Sequence, residues 1–284
     1  VSLFEEKKIP YLIVFNKCDL LDNTTDGKIF VSAKNNTNIE LLKDKIAKVV
    51  NAQKSDKRLC GDLVNKNDFV VLVIPIDSAA PKGRIILPQQ QVIRDLLDSG
   101  AIPVCVRESE LADTLKNLGT KPKLVITDSQ VFKPVSEIVP NDIKLTSFSI
   151  LMARNKGFLK TAVNGARAIE SLNDGDKILI SEGCTHHRQC DDIGTVKLPR
   201  WIRQHTGNKD LHFEFTSGTE FPVDLSPYKL IIHCGGCTLN EREMQYRLKC
   251  AEDQGVPITN YGTAIAHLKG VLERSLIPVR GSLE

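Results

Sequence analysis

Short apolar runs rich in β-branched residues alternate with stretches of helical spacing along most of this chain. The runs 11–15, 69–76 and 177–181 have the length of strands, and helical patterns such as 38–50 follow them. Such alternation favours βαβ units, in which a helix crosses over between two parallel strands. The sequence therefore predicts an α/β fold made of three consecutive α/β units with mostly parallel sheets.

Composition narrows the classes of protein to which the chain can belong. With 41% hydrophobic and 26% charged residues, the 284-residue chain is ordinary for a globular protein. A formal net charge of +3 is too small to indicate a nucleic-acid partner. The sequence has no run of about 18 apolar residues, so we expect no membrane span and no membrane partner.

The eight cysteines predict a reducing environment rather than a disulfide framework. Disulfide-rich secreted domains are small and dense in cysteine, unlike this chain, and charged residues follow Val1 too soon for a secretion signal. Four cysteines are clustered, as the pairs 184/190 and 234/237. We therefore expect a cytoplasmic protein whose clustered thiols serve a metal.

Polar and glycine-containing stretches divide the chain into three segments, 1–55, 62–141 and 142–284. The first has predicted strands at 11–15 and 30–31, a helix at 38–50 and a polar linker at 51–57. The second has strands at 69–76, 101–106 and 124–127 and helices at 89–98 and 108–118. The third has strands at 177–181, 211–215 and 229–232 and helices at 158–172, 240–254 and 263–273. The second segment carries no constellation of acids, bases or ligands, which favours a structural or oligomeric role.

Two groups of cysteine and histidine predict a metal site. Cys184 and His186 follow one predicted strand, and His233, Cys234 and Cys237 follow another. Ligands in parallel α/β sheets collect outside the carboxyl ends of the strands. If the two strands are neighbours, both groups meet in one crevice.

The residue types favour an iron–sulfur cluster over the alternatives. Thiolates bind both iron–sulfur clusters and zinc, and a closed zinc site needs only four ligands. Three cysteines with two histidines exceed that number. This surplus favours an iron–sulfur cluster in which one iron keeps an open or weakly held ligand position. Structural zinc and a chance grouping of buried thiols remain the alternatives. Cys190 is a possible additional ligand. Only one of the two consecutive side chains of His186 and His187 normally points at a given site, and the pattern favours His186.

A second pattern has two elements, each after a predicted strand of the first segment. Its first element, after the strand at 11–15, contains Asn16, Lys17 and Asp19, and its second, after the strand at 30–31, is Ser32-Ala33-Lys34. This pattern resembles the guanine-recognition elements of P-loop GTPases, and the resemblance implies guanine recognition. A carboxylate at Asp19 can accept from two guanine N–H groups, which adenine does not offer. Asn16 would tie the two loops together, the Lys17 stem would cover the base, and a backbone N–H near Ala33 would meet the guanine oxygen.

The phosphate-binding half of a nucleotide domain is missing. No G-x-x-x-x-G-K-[ST] loop occurs in the 284 residues. The chain also begins at Val1 rather than Met, so we expect it to be a fragment that lacks the front part of a G domain. Hydrolysis of GTP by this chain alone is not expected.

The guanine elements, the α/β middle segment and the C-x-H … H-C-x-x-C ending together resemble the HydF family of FeFe-hydrogenase maturation factors. The resemblance runs from about Tyr11 to the C-terminus. It implies that 1–55 is the remnant of a P-loop GTPase domain, 62–141 a dimerisation domain and 142–284 a cluster-binding domain. A strand such as 69–76 at an exposed sheet edge would then pair across a two-fold axis.

The resemblance also implies the cofactors and partners. A 4Fe–4S cluster would be held by Cys184, Cys234 and Cys237, with His186 and His233 as candidates for the labile fourth position. A diiron precursor made by the radical-SAM maturases HydE and HydG would dock there before delivery to apo FeFe-hydrogenase. GTP bound by the complete G domain would regulate this homodimeric scaffold. Two other functions stay open: an iron–sulfur enzyme with an open iron site, and a structural zinc module in an interaction protein.

Overall fold

A computed structural model describes residues 1–6, 10–21, 28–51, 58–76, 85–183, 192–218, 220–236, 239 and 241–283. The chain divides into two compact units, Val1–Lys57 and Arg58–Glu284. All strand pairings among the described residues are parallel, which confirms the α/β class with mostly parallel sheets.

The first unit has a two-stranded parallel sheet and two helices. Helix α1 (Ser2–Glu6) precedes strand β1 (Val14–Phe15), and strand β2 (Ile29–Phe30) leads to helix α2 (Ile39–Asn51). The rings of Phe15 and Phe30 stack across the strand pair at 5.2 Å between centroids. Strand β1 is shorter than the predicted strand at 11–15, whereas β2 lies one residue before the predicted strand at 30–31. Among the described residues of this unit, only Val31 and Ser32 are buried.

The second unit begins with a four-stranded parallel sheet in the order β4-β3-β5-β6. Its strands are β3 (Phe69–Val73), β4 (Ile102–Val106), β5 (Leu124–Thr127) and β6 (Lys144–Ser147). Helices α3 (Leu87–Asp98), α4 (Leu111–Asn117) and α5 (Phe132–Ile138) connect them, and α6 (Phe148–Asn155) follows β6. The sequence predicts this βαβαβ core, but neither α5 nor β6.

The prediction that residues 69–76 form an exposed edge strand is wrong. Strand β3 lies inside the sheet between β4 and β5, and Val70 to Val73 are fully buried. The continuous apolar run in β3 is the mark of a strand covered on both faces. Among the described strands, the edge of the sheet next to β3 is β4, in which Ile102 and Cys105 are exposed.

A second four-stranded parallel sheet has the order β10-β9-β7-β8. Its strands are β7 (Lys177–Ser181), β8 (His212–Thr216), β9 (Leu230–His233) and β10 (Ile258–Asn260). Its helices are α7 (Leu159–Arg167), α8 (Leu198–His205), α9 (Glu241–Asp253), α10 (Tyr261–Leu268) and α11 (Leu272–Leu276). A π-helical turn at Ile193–Lys197 leads into α8.

Several predicted elements differ in extent from the observed ones. The predicted helix at 263–273 is two helices, because Gly270 at φ +70° ends the first of them. The predicted boundary at 141/142 falls before β6, although β6 pairs with β5. The three-domain division of the chain stays a prediction.

The longest helices in the described part of the chain, α2 and α9, have 13 residues each. None of the described helices therefore has the roughly 20 apolar residues that are needed to cross a bilayer.

Candidate metal centre

The strands that carry the two cysteine groups are neighbours in the second sheet. Strand β7 pairs with β9 in parallel, and Ser181 stands opposite His233 at their carboxyl ends. The Cys234 backbone N–H continues the ladder by donating to the Ser181 carbonyl at 2.9 Å. The chain therefore leaves both strands at the same edge of the sheet, which is the convergence that the sequence predicts.

The Cys234 sulfur is a hydrogen-bond acceptor for the backbone of both loops. The Gly183 N–H lies 3.0 Å from Cys234 Sγ, and the Gly236 N–H lies 3.4 Å from it. Since Gly183 directly precedes Cys184, this contact holds the start of the first cysteine loop against the second. Backbone N–H groups aimed at a sulfur favour its thiolate form and are a known influence on iron–sulfur sites.

Gly236, two residues after Cys234, allows a tight turn that a side chain at this position would obstruct. Gly236 has φ +58°, and a Cβ at this position would lie 2.7 Å from Met244 Sδ. Lys156 Nζ donates to the Gly236 carbonyl and, at 3.4 Å, to the Leu239 carbonyl. A buried ammonium group thus fixes the loop that carries Cys234.

His233 is buried, and both of its ring nitrogens have partners. Nδ1 lies 2.7 Å from the Cys234 carbonyl, to which only a protonated nitrogen can donate. Nε2 lies 3.0 Å from Arg247 Nη1, which is always a donor. The ring therefore has its proton on Nδ1, and its Nε2 lone pair points at the guanidinium.

Burial lowers the pKa of His233 to about 4, against the opposing effect of its hydrogen bond to the Cys234 carbonyl. The charges of Arg247 and Lys156 lower this pKa further. The imidazole is neutral at neutral pH. A metal could use its Nε2 only if Arg247 released it.

Arg247 is fully buried and joins several elements at this edge of the sheet. Nη2 donates to the Gly218 carbonyl at 2.8 Å, Nε donates to Glu243 at 2.9 Å, and Nη1 lies 3.3 Å from Ser181 Oγ. The cysteine and histidine pattern does not mark Arg247 as part of the site. The signal was a charged residue on the buried stripe of α9, three residues after Met244 and one before Leu248.

A tyrosine and a glutamate complete the described surroundings. Tyr261 Oη lies 3.2 Å from Glu182 Oε1, and both face Gly194 of the π-helical turn. Burial, with the nearby charge of Glu182, raises the pKa of Tyr261 far above its usual range. The phenol therefore stays protonated and can donate to the carboxylate.

Three of the five predicted ligands, Cys184, His186 and Cys237, lie outside the described residues, as do His187 and Cys190. The structure places His233 and Cys234 together at the sheet edge. The full ligand set stays a prediction.

The guanine-recognition residues of the first unit lie close together. Asn16 Oδ1 accepts from the Lys17 N–H at 2.8 Å and from the Ala33 N–H at 3.2 Å, so it ties the two loops as the pattern predicts. Ser32 Oγ donates to Asp19 Oδ1 at 2.5 Å. The Ala33 N–H already donates to Asn16 Oδ1. It can contact a guanine oxygen as well only if it divides its hydrogen bond between the two acceptors. Lys34 is exposed.

The fold and the site together define a parallel α/β protein with a thiol loop at the carboxyl ends of adjacent strands. Residues 59–157 match the family model described as the hydrogen maturase F dimerization domain. Residues 160–278 match the hydrogen maturase F tetramerization domain. A search of curated proteins found no match.

The chain belongs to the hydrogen maturase F family, since the two models together match more than three quarters of it. Both matches lie in the second unit, one over each of its sheets. All five predicted metal ligands fall within the tetramerization match.

Proposed function

We propose that this chain is a scaffold and carrier in the maturation of FeFe-hydrogenase. It binds a 4Fe–4S cluster, accepts a diiron precursor as cargo from the radical-SAM enzymes HydE and HydG, and delivers it to apo FeFe-hydrogenase. Family membership supports the general maturation role. The cluster, the cargo and its delivery are the proposal.

The contact between the Gly183 N–H and Cys234 Sγ is the observation that carries the cluster site. At 3.0 Å it brings the residue before Cys184 to the sulfur of the second cysteine group. The two cysteine groups, which are separated by 46 residues in sequence, therefore begin next to each other at this edge of the sheet. A Cβ at Gly235 would meet no atom within 4 Å, so the turn directly after Cys234 is open on this side.

The charges around the loop also fit such a group. Lys156 and Arg247 are buried cations within the same edge of the sheet, one bound to the Gly236 carbonyl and the other to His233. Buried positive charge stabilises thiolates and the net negative charge that a thiolate-bound cluster carries.

The thiolates of Cys184, Cys234 and Cys237 would hold three irons. When bound, a cluster held by three thiolates supplies one iron with an exchangeable position at which cargo can dock. The hydrogen bonds of His233 favour a positioning role for it, in which it orients the Cys234 peptide rather than binding metal. His186 is then the stronger candidate for the exchangeable position.

The first unit would recognise guanine as part of a complete G domain. The tie between Asn16 and Ala33 and the pair formed by Ser32 and Asp19 support this role. GTP bound by the complete domain would regulate loading or release of the cargo. Two copies of the chain would form a homodimer through the region that matches the dimerization domain.

Anaerobic reconstitution with iron and sulfide tests the cluster site. The purified chain should become brown and, after reduction, give the EPR signal of a 4Fe–4S cluster. Cys184→Ala, Cys234→Ala and Cys237→Ala should each abolish this signal. Cys105→Ala, which removes an exposed thiol of strand β4, is the matched control and should retain it.

Two results would refute the proposed site. One is a colourless protein that binds a single zinc ion after reconstitution, which would indicate a structural zinc module. The other is retention of the cluster in all three cysteine variants.

A further inference from the structure

Two histidines and a glutamate converge at a second place in the tetramerization-matched region. The Nε2 atoms of His205 and His267 each lie 2.8 Å from the same oxygen, Glu170 Oε1. One donor atom from each of the three residues lies within 4.8 Å of the others. Two imidazoles and a carboxylate are the three protein ligands of many open zinc sites.

This cluster is remote from the thiol loop in the topology of the sheet. His205 ends α8, which leads into β8, and Glu170 lies in a 3₁₀ turn that leads towards β7. His267 lies in the last turn of α10, which runs back from the end of β10. The three residues therefore lie towards the amino ends of the strands, whereas Cys234 follows the carboxyl end of β9.

The ends of two α-helices add a favourable field for a cation. Helices α8 and α10 both end at the cluster, with His205 and His267 in their last turns. The carboxyl end of a helix carries partial negative charge and stabilises a positive ion. The hydrogen bonds from His205 and His267 lower the pKa of Glu170, so its carboxylate is ionised at neutral pH.

We propose that Glu170, His205 and His267 form a binding site for a divalent transition-metal ion, with Zn²⁺ as its preferred occupant. The histidine side chains are 28% and 16% exposed, so their positions are set by the surrounding helices. The Glu170 side chain is 61% exposed and can shift to admit the ion between the three donors.

Binding requires the Nε2 atom of each ring to give up the proton that it donates to Glu170. Without metal, each ring donates from Nε2 to the carboxylate. With metal, each ring carries its proton on Nδ1 and offers the Nε2 lone pair to the ion. The same three side chains therefore either form hydrogen bonds with one another or bind a metal ion.

Titration of the full chain with Co²⁺ under anaerobic conditions tests this site. Cysteine sites that bind Co²⁺ show intense thiolate-to-cobalt charge-transfer bands, whereas nitrogen and oxygen ligands give only d–d bands. The difference spectrum of wild type minus His205→Gln should show d–d bands alone, with the loss of one metal equivalent. His267→Gln and Glu170→Gln should give the same difference spectrum.

His212→Gln is the matched control, since His212 is an exposed histidine on β8 of the same sheet. It should bind as much Co²⁺ as wild type does. The glutamine variants keep side chains that can form hydrogen bonds, and far-UV circular dichroism verifies their fold. Unchanged metal uptake by folded His205→Gln and Glu170→Gln would overturn the proposal. Since this site uses no cysteine, its failure would leave the cluster proposal untouched.

Discussion

Arg247 and His233 form a buried pair, and the same guanidinium group also donates to the Gly218 carbonyl and to Glu243. Arg247→Met would remove the donor to the His233 Nε2 and to the Gly218 carbonyl, together with the ion pair to Glu243. We expect a loss of about 3–5 kcal/mol in the free energy of unfolding, as is typical when one partner of a buried charged network is removed. Urea unfolding followed by the fluorescence of Trp201, the single tryptophan, measures this loss.

Arg200→Met is the control for this variant, because Arg200 is exposed on α8. Its effect should stay within about 0.5 kcal/mol. Equal stabilities of the two variants would contradict the role given to Arg247.

The pair of Asp62 and Arg154 makes a prediction about pH. Arg154 donates with both terminal nitrogens to Asp62, and its hydrogen bonds lower the pKa of that carboxyl. A carboxylate with a lowered pKa stabilises the fold above its unfolded pKa, and this contribution is lost as pH falls through the folded value. Asp62→Asn should therefore cost roughly 0.5–1 kcal/mol at pH 7, given that Asp62 is partly exposed.

The difference between wild type and Asp62→Asn should disappear in acid, once Asp62 is protonated in wild type. Urea unfolding followed by circular dichroism at a series of pH values measures it. Asp113→Asn, at a surface position 4.0 Å from Lys116, should differ little from wild type at any pH. A deficit in Asp62→Asn that persisted unchanged in acid would count against the ion pair.

At the scale of elements, the sequence predicts central strands well because a buried parallel strand reads as a continuous apolar run. Strand β9, with Leu230 to Ile232 buried, is such a case and directly precedes the thiol loop. Strand β10 has only three residues, Ile258–Asn260, and β6 begins with an exposed lysine, so neither has a run long enough to recognise. Strand order depends on packing between distant segments, which explains why β3 was mistaken for an edge.

The free edge of β4 predicts how two copies pair. Ile102 and Val106 direct their backbone groups towards β3, since the Ile102 N–H donates to Asp68 and the Val106 carbonyl accepts from Ile74. Alternation then turns the backbone groups of Pro103 and Cys105 outward, and proline has no N–H to donate. Antiparallel pairing with a second copy would therefore centre on Cys105.

Oxidation tests this arrangement, because two Cys105 residues facing each other across a two-fold axis lie about 5.5 Å apart at Cα. Mild oxidation of the dimer should give a covalent dimer on a non-reducing gel, and Cys105→Ser should abolish it. Cys250→Ser, in α9, is the control and should leave the cross-link intact. A cross-link that survives in Cys105→Ser would contradict pairing through β4.

At the scale of the whole molecule, the pattern of cysteine and histidine predicts where the centre lies but not what surrounds it. Both ligand groups follow strands, and strands β7 and β9 are indeed adjacent. The buried cation Lys156 comes from the end of α6 and Arg247 comes from α9, and the motif includes neither. Likewise, the cluster of Glu170, His205 and His267 joins residues 97 positions apart, with no spacing that marks a site.

Delivery of cargo tests the central claim most directly. The chain is loaded by HydE and HydG, repurified and mixed with apo FeFe-hydrogenase, and hydrogen evolution is then measured. Loaded wild type and Cys105→Ala should activate the hydrogenase, whereas Cys234→Ala treated in the same way should not. Activation by Cys234→Ala equal to that by wild type, or no activation by loaded wild type, would contradict a carrier role based on the thiol loop.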